Sequence, residues 1–268
     1  MTIDSVAGKC ILFTPLVVPA SLGPLAIKAA VLWSVELLEV EGLTALWTDA
    51  SASPDSTLLD SAWRVLWSVM ALDLLHDAWF YWAHRLMHLR PFYRRMHSLH
   101  HSSVAPTPLA GYSFSLGEGA LVFLNEIAVA FFLPIPADLH RAYHLWATLV
   151  HCGGHAGYEI APLIPTLPGA LAGAAAWVGA ALAGCCGGLG FLEALASWLQ
   201  TWPKDRLNTV RHHDMHHRHP AYHFSLYFTH WDRLCGTEHP DYRAKTRALS
   251  AKRRRAVSNS AVQAALVN

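Results

Sequence analysis

Four short stretches of this chain carry histidines at spacings that could gather metal ions. They read His84-Arg-Leu-Met-His88, His97-Ser-Leu-His100-His101, His151-Cys-Gly-Gly-His155 and His213-Asp-Met-His216-His217. Side chains three and four residues apart share one face of a helix, so each stretch can aim two or three imidazoles at one point. Together they offer ten rings. Neutral imidazole binds zinc, copper, iron and nickel, and one ion rarely takes more than about six ligands, so ten rings point to two metals. Soluble di-iron bundles use carboxylates with Glu-x-x-His pairs instead. None of the four stretches has that form, which implies an all-histidine shell. The H-E-x-x-H pattern is absent, so no glutamate is placed as a metalloprotease base. A solvated histidine-rich surface would account for one such stretch, but not for four beside apolar runs. The isolated His140, His144 and His239 read as structural or solvated rather than as ligands. A metal-bound histidine usually gives its second nitrogen to a carboxylate or carbonyl. Asp77, Glu159 and Asp214 stand close enough in sequence for that, with Asp232 a weaker candidate. A surface salt bridge or a helix cap is an equally open role for each.

The elements that must position these rings are apolar. The chain of 268 residues is 53% hydrophobic and only 15% charged, against about a quarter charged in ordinary globular proteins. Much of its surface is therefore expected to face something other than water. The run from Leu25 to Leu46 has the length a bilayer crossing needs, about 20 residues. Pro15, Pro19 and Pro24 make the preceding run a re-entrant or interfacial piece rather than a clean helix. The N-terminal part reads as an anchor or first span, not as a cleaved signal. Residues 49–60 read as a loop. Ser61 to His84 is apolar and aromatic, yet holds Asp73, His76 and Asp77, and ionisable groups inside a span normally face the bundle interior and mark function. Further apolar stretches run from Leu109 to Leu133 and from Leu167 to Leu192. His140 to His155 has a helical pattern, and from about residue 245 the chain is expected to be disordered. The five cysteines include no C-x-x-C pair, so neither a disulfide framework nor a thiolate zinc site is indicated. Twelve of the 20 Lys and Arg residues follow position 203. Without aromatic interleaving, that cluster marks the cytosolic side of a membrane protein rather than a nucleic-acid surface.

At these residues the chain resembles the fatty acid hydroxylase and sterol desaturase superfamily of integral-membrane oxygenases. The segments that carry the resemblance begin with His76-Asp77-Ala-Trp-Phe-Tyr-Trp-Ala-His84-Arg-Leu-Met-His88 and Met96-His97-Ser-Leu-His100-His101. They continue with His151-Cys-Gly-Gly-His155-Ala-Gly-Tyr-Glu159, Arg211-His212-His213-Asp214-Met215-His216-His217 and Tyr227-Phe-Thr-His-Trp-Asp232-Arg-Leu-Cys-Gly236-Thr. The resemblance implies an all-α fold, a multi-span transmembrane helical bundle with a cytosolic cap over two irons, for which zinc can substitute in purified protein. It implies ligands His84, His88, His97, His100, His101, His151, His155, His213, His216 and His217. It also implies a reaction that uses dioxygen and two electrons, the latter from a separate b-type cytochrome and its flavin reductase. The substrate would be a lipid, a sterol before a fatty acyl or sphingolipid chain, and the compartment the endoplasmic reticulum. On this reading residues 1–60 are the anchor and loop, 61–242 the catalytic domain and 243–268 a basic tail. An Ala/Gly-rich stretch at about 169–190 looks longer than the family's spacing. The rival of another class is a non-catalytic zinc-binding or metal-transporting membrane protein. A transporter would place polar residues across the bilayer, whereas the four histidine stretches stand at the ends of apolar runs.

Overall fold

The computed structural model describes residues 3–48, 57–103, 107–157 and 208–248, with 174 and 178 as isolated positions. Glu159, the run from Leu167 to Leu192 and the tail beyond 248 lie outside the described residues.

Helix α1 runs from Ile3 to Val40 and α2 from Leu58 to Met87. A short turn α3, Arg90–Phe92, leads into a π-helical turn at Tyr93–His97 and 3₁₀ turns at His100–Ser102 and Pro108–Tyr112. Then come α4 at Leu116–Phe132, α5 at Ala137–Gly154, α6 at Val210–Arg218 and α7 at His230–Leu234. No strand occurs among the described residues; the single bridge joins Trp47 to Pro136. Local chemistry explains the helix starts. Thr57 and Asp60 form a reciprocal capping box at the start of α2, while Ser115 accepts from Glu118 N and Thr209 from His212 N. Each satisfies a backbone N–H that the first helical turn leaves without a partner.

Two expectations are corrected, on the N-terminal prolines and on the start of the tail. The prolines at 15, 19 and 24 lie inside one continuous helix rather than in a broken, interfacial piece. Proline removes one backbone donor and clashes with the preceding turn, but packing and side-chain hydroxyls can offset this in apolar surroundings. Ser21, between two of the prolines, donates to the carbonyls of Val17 and Leu109. The stretch from Leu109 to Leu133 divides into the 3₁₀ turn and α4. Residues 242–248, at the start of the expected disordered tail, are helical. One helix segment among the described residues, Val17–Val40, is long and apolar enough to cross a membrane.

Helix α4 is central: it packs against α1 and α2, while α5 lies against the 3₁₀ turn Pro108–Tyr112 and against α6. Apolar clusters hold these contacts. Leu72, Val129, Ile135, Tyr143 and Ala147 join α2, α4 and α5, and Phe80, Val150, Leu226, Tyr227 and Phe228 tie the loop after α6 to α2 and α5. Arg141 of α5 pairs with Glu36 and Glu39 and so clamps the end of α1. The histidine-bearing turns gather at one end of this bundle.

Candidate metal centre

Nine of the ten histidines singled out in the sequence come together in two groups, all of them buried but the half-buried His88. His84, His88, His97, His101 and His216 form one, and His100, His155, His213 and His217 the other. The spacing acquires a simple meaning here. His84 and His88, like His97 and His101, are four apart and serve the first group; His213 and His217, also four apart, serve the second. The odd ring of each H-x-x-H-H stretch, His100 or His216, crosses to the other group. The π turn at Tyr93–His97 and the 3₁₀ turn that follows let the adjacent His100 and His101 part in this way.

Hydrogen bonds on the far side of the rings fix which nitrogen faces inward. His84 Nδ1 lies 3.0 Å from the Phe224 carbonyl, His216 Nδ1 2.6 Å from that of Tyr222 and His155 Nδ1 2.8 Å from that of His151. A carbonyl oxygen only accepts, so each Nδ1 carries the proton and each Nε2 of the neutral ring presents a lone pair. Glu118, buried at the start of α4, accepts from His97 Nδ1 at 2.7 Å in the same manner. The Nε2 atoms then meet at close range. His84 and His97 are 3.1 Å apart, His101 and His216 3.0 Å, His155 and His213 2.7 Å, and His155 and His100 3.3 Å. Facing lone pairs at such distances repel unless a cation lies between them. Nitrogens bound at about 2.1 Å to one ion sit about 3.0–3.4 Å from each other, so the donor set fits two imidazole-ligated ions. Burial holds His97, His100, His213 and His216 well below the ordinary imidazole value, and neighbouring rings push the same way. His217 is lowered to about 3 and His101 to about 2, again chiefly by burial. The rings are thus in the neutral form that a metal requires.

His151 joins neither group. Its Nε2 donates to the Gly111 carbonyl at 2.7 Å, although the four-residue spacing predicts one face with His155. The two rings do lie together, with centroids 4.7 Å apart, but the bond to Gly111 commits the His151 Nε2 to the protein. Gly111 lets the two rings approach closely: a Cβ there would lie 3.0 Å from His155 Nδ1 and 3.3 Å from His151 Cδ2, so both rings would have to give by a few tenths of an ångström.

The acidic candidates take different places. Asp77 is fully buried, and its Oδ1 accepts the backbone N–H groups of Leu226, Tyr227 and Phe228. It therefore anchors the loop that brings the Phe224 and Tyr222 carbonyls to the ligands. Asp214 pairs with Arg218 at 2.7 Å, and burial raises its carboxyl. Asp232 accepts from Phe224 N, Ser225 N, Ser225 Oγ and Thr237 Oγ1 at 2.5–3.1 Å and lies 3.1 Å from His212 Nε2. Burial alone would raise its carboxyl, but the His212, Ser225 and Thr237 bonds hold it below the usual carboxylate range. His223, at a left-handed φ of 64°, completes a third group with His212 and Asp232. Sequence spacing did not single out Glu118 or His223. Glu118 is 21 residues from its histidine, and only the fold brings them together. His140 and His144 are buried beside Glu126 rather than solvated.

Comparison with known proteins points to a family. The profile of the fatty acid hydroxylase family matches residues 69–170 and 160–237. The C-4 methylsterol oxidase of Schizosaccharomyces pombe is 30% identical over 199 residues, 70% of this chain and 53% of that protein. The lathosterol oxidase of Mus musculus is 26% identical over 212 residues, 77% and 55% of the two chains. A Delta(7)-sterol 5(6)-desaturase of Gibberella zeae is 30% identical over 121 residues, 44% and 33%. In the first two of these alignments the chain spans about half the length of the relative. No solved structure matches significantly.

Proposed function

The chain belongs to the fatty acid hydroxylase family, and from that premise we propose that it is a membrane-bound di-iron oxygenase that oxidises a sterol with dioxygen and two electrons. The observation that carries this reading is the convergence of nine imidazoles, eight of them buried and His88 half-buried, on two points. The choice of a sterol rests on the relatives, which are a methylsterol oxidase, a lathosterol oxidase and a sterol desaturase. Hydroxylation, desaturation and oxidative demethylation are all within the chemistry of such a centre. His84, His88, His97, His101 and His216 would hold one ion, and His100, His155, His213 and His217 the other. Iron bound there supplies the dioxygen activation that side chains cannot perform.

The chain's own part is to hold protons and exclude water. The Phe224 and Tyr222 carbonyls keep the Nδ1 protons of His84 and His216 in place, so both Nε2 lone pairs stay available. Such outer partners orient the ligands and raise their basicity. Asp77 and Asp232 hold the loop that carries those carbonyls. Phe80, Phe114 and Phe224 pack against ligand rings and keep the site dry.

The outer faces of the bundle support a membrane setting. Trp33, Leu37, Trp63, Trp67, Phe132 and Leu149 are exposed large apolar residues on α1, α2, α4 and α5, and apolar patches of this extent mark contact with lipid or protein. In this reading these helices form a multi-span bundle in the endoplasmic reticulum. Residues 61–242 are the catalytic unit, with the histidines on the cytosolic side. There a b-type cytochrome and its flavin reductase deliver the electrons.

Oxygen uptake by the iron-loaded, membrane-reconstituted chain tests the proposal. Uptake that depends on an added sterol and yields an oxidised sterol is expected. Uptake with ceramides or fatty acyl lipids alone would move the substrate to the fatty acyl class. No uptake with any lipid would overturn the oxygenase reading.

A further inference from the structure

Helix α2 shows where a bilayer would end. Its exposed apolar residues Trp67, Leu74, Leu75, Trp82 and Leu86 fall on one face. A half-buried arginine closes that face at each end, and both lie against aromatic rings. Arg64 is 5.7 Å from the Trp47 ring, and Arg85 is 5.9 and 5.8 Å from those of Tyr81 and Trp82. At about 1.5 Å per residue the two arginines stand about 32 Å apart along the helix, close to the roughly 30 Å of a bilayer's hydrocarbon core. Aromatic and cationic side chains are characteristic of its two interfaces.

Past Arg85 the apolar face continues. Leu89 and Phe92 are exposed where α2 turns into α3, and Leu99 is exposed on the turns that follow. Interleaved with them are Arg90, Arg94 and Arg95, all exposed. The sequence holds no acidic residue between Asp77 and Glu118, and none of the three side chains has an ion-pair or hydrogen-bond partner among the described residues. Like charges on neighbouring positions repel, so folding alone gives no reason for this cluster. An approaching anion does.

The chemistry of the stretch selects its occupant. A guanidinium can hold phosphate oxygens through two parallel N–H bonds, while the leucines and phenylalanine beside it call for an apolar phase. An acidic protein face would satisfy the arginines, but the exposed apolar side chains here extend the outer face of α2 rather than form a separate patch. Resting on the membrane setting proposed above, and on no particular substrate, we infer that Arg90, Arg94 and Arg95 bind the headgroups of anionic phospholipids where α2 leaves the bilayer. Leu89, Phe92 and Leu99 enter the boundary between headgroups and acyl chains, as the apolar side of an interfacial segment does. The same stretch carries His97, His100 and His101, so headgroup binding seats these three ligands against the membrane surface.

The test is native mass spectrometry of the full chain in detergent, titrated with phosphatidylserine or with phosphatidylcholine of identical acyl chains. Each arginine near an anionic surface is worth about fivefold in binding, so the wild type should hold phosphatidylserine at least about tenfold more tightly. Arg90→Gln/Arg94→Gln/Arg95→Gln should bring the two lipids level, with unchanged phosphatidylcholine binding showing that the fold is intact. Glutamine at Lys252, Arg253, Arg254 and Arg255, the other basic cluster, should leave the preference in place. A preference lost in that tail variant, one that survives in the triple variant, or none in the wild type would overturn the inference. If the triple variant kept its lipid preference but lost binding to an acidic b-type cytochrome domain, the surface would be a protein dock instead. A chain that is soluble without detergent and retains no lipid would remove the membrane setting and the inference together, whereas lipid binding without a preference would remove the inference alone.

Discussion

In the nine-ring centre, His84, His155 and His216 each give an Nδ1 proton to a backbone carbonyl and turn a bare Nε2 toward their neighbours. In the adjacent group of His212, His223 and Asp232, the same residue types are as deeply buried but are arranged the other way. His223 Nε2 accepts from the backbone N–H of His239 at 3.2 Å, so its proton sits on Nδ1, the nitrogen that has no outer partner. Asp232 already accepts from two backbone N–H groups and two hydroxyls. The first region collects lone pairs with nothing to receive, whereas in the second Asp232 and His223 Nε2 spend theirs on the protein's own donors. Burial and residue type are common to both, and the direction of the lone pairs separates a metal site from a structural knot.

Two substitutions sharpen that contrast. Asp232→Ala should have the larger effect, because it leaves the Phe224 and Ser225 N–H groups and the hydroxyls of Ser225 and Thr237 without their acceptor. Each stranded buried donor costs about 1–3 kcal/mol, and the net loss, after local rearrangement, should be about 3–5 kcal/mol in a denaturant titration. The fraction that folds should still take both metals, but more weakly, because Asp232 holds the loop that carries the Phe224 and Tyr222 carbonyls. His223→Asn should do little. Asparagine tolerates the left-handed region, and relief of strain there offsets the lost acceptor, so stability should change by less than about 1 kcal/mol with metal content unaltered. Loss of a metal in His223→Asn would make the third group a ligand set and erase the distinction.

The regular part of this organisation was legible in the sequence. Nine of the ten rings that spacings of three and four singled out come together, and the apolar runs foretold α2 and α5, whereas His97, His100 and His101 sit on π and 3₁₀ turns. His151 shows where that rule ends: its ring lies beside that of His155, but its Nε2 is taken by the Gly111 carbonyl. What could not be read depends on long-range approach. Glu118 reaches His97 across 21 residues, Asp77 holds a loop about 150 residues away, and Lys28 meets Glu126 across 98. In the sequence Lys28 was only a charge within an apolar run. The prolines of α1 argued locally for a break that the packed helix does not have. His140 and His144, read as structural or solvated, are buried beside Glu126.

The measurement that bears most directly on the account is metal content per chain in detergent-purified protein, made beside His97→Ala and His213→Ala. Two ions per wild-type chain are predicted, with each variant losing chiefly the ion of its own group. Three ions, or none, or two ions undisturbed by either substitution, would contradict the assignment of the nine rings to two metals.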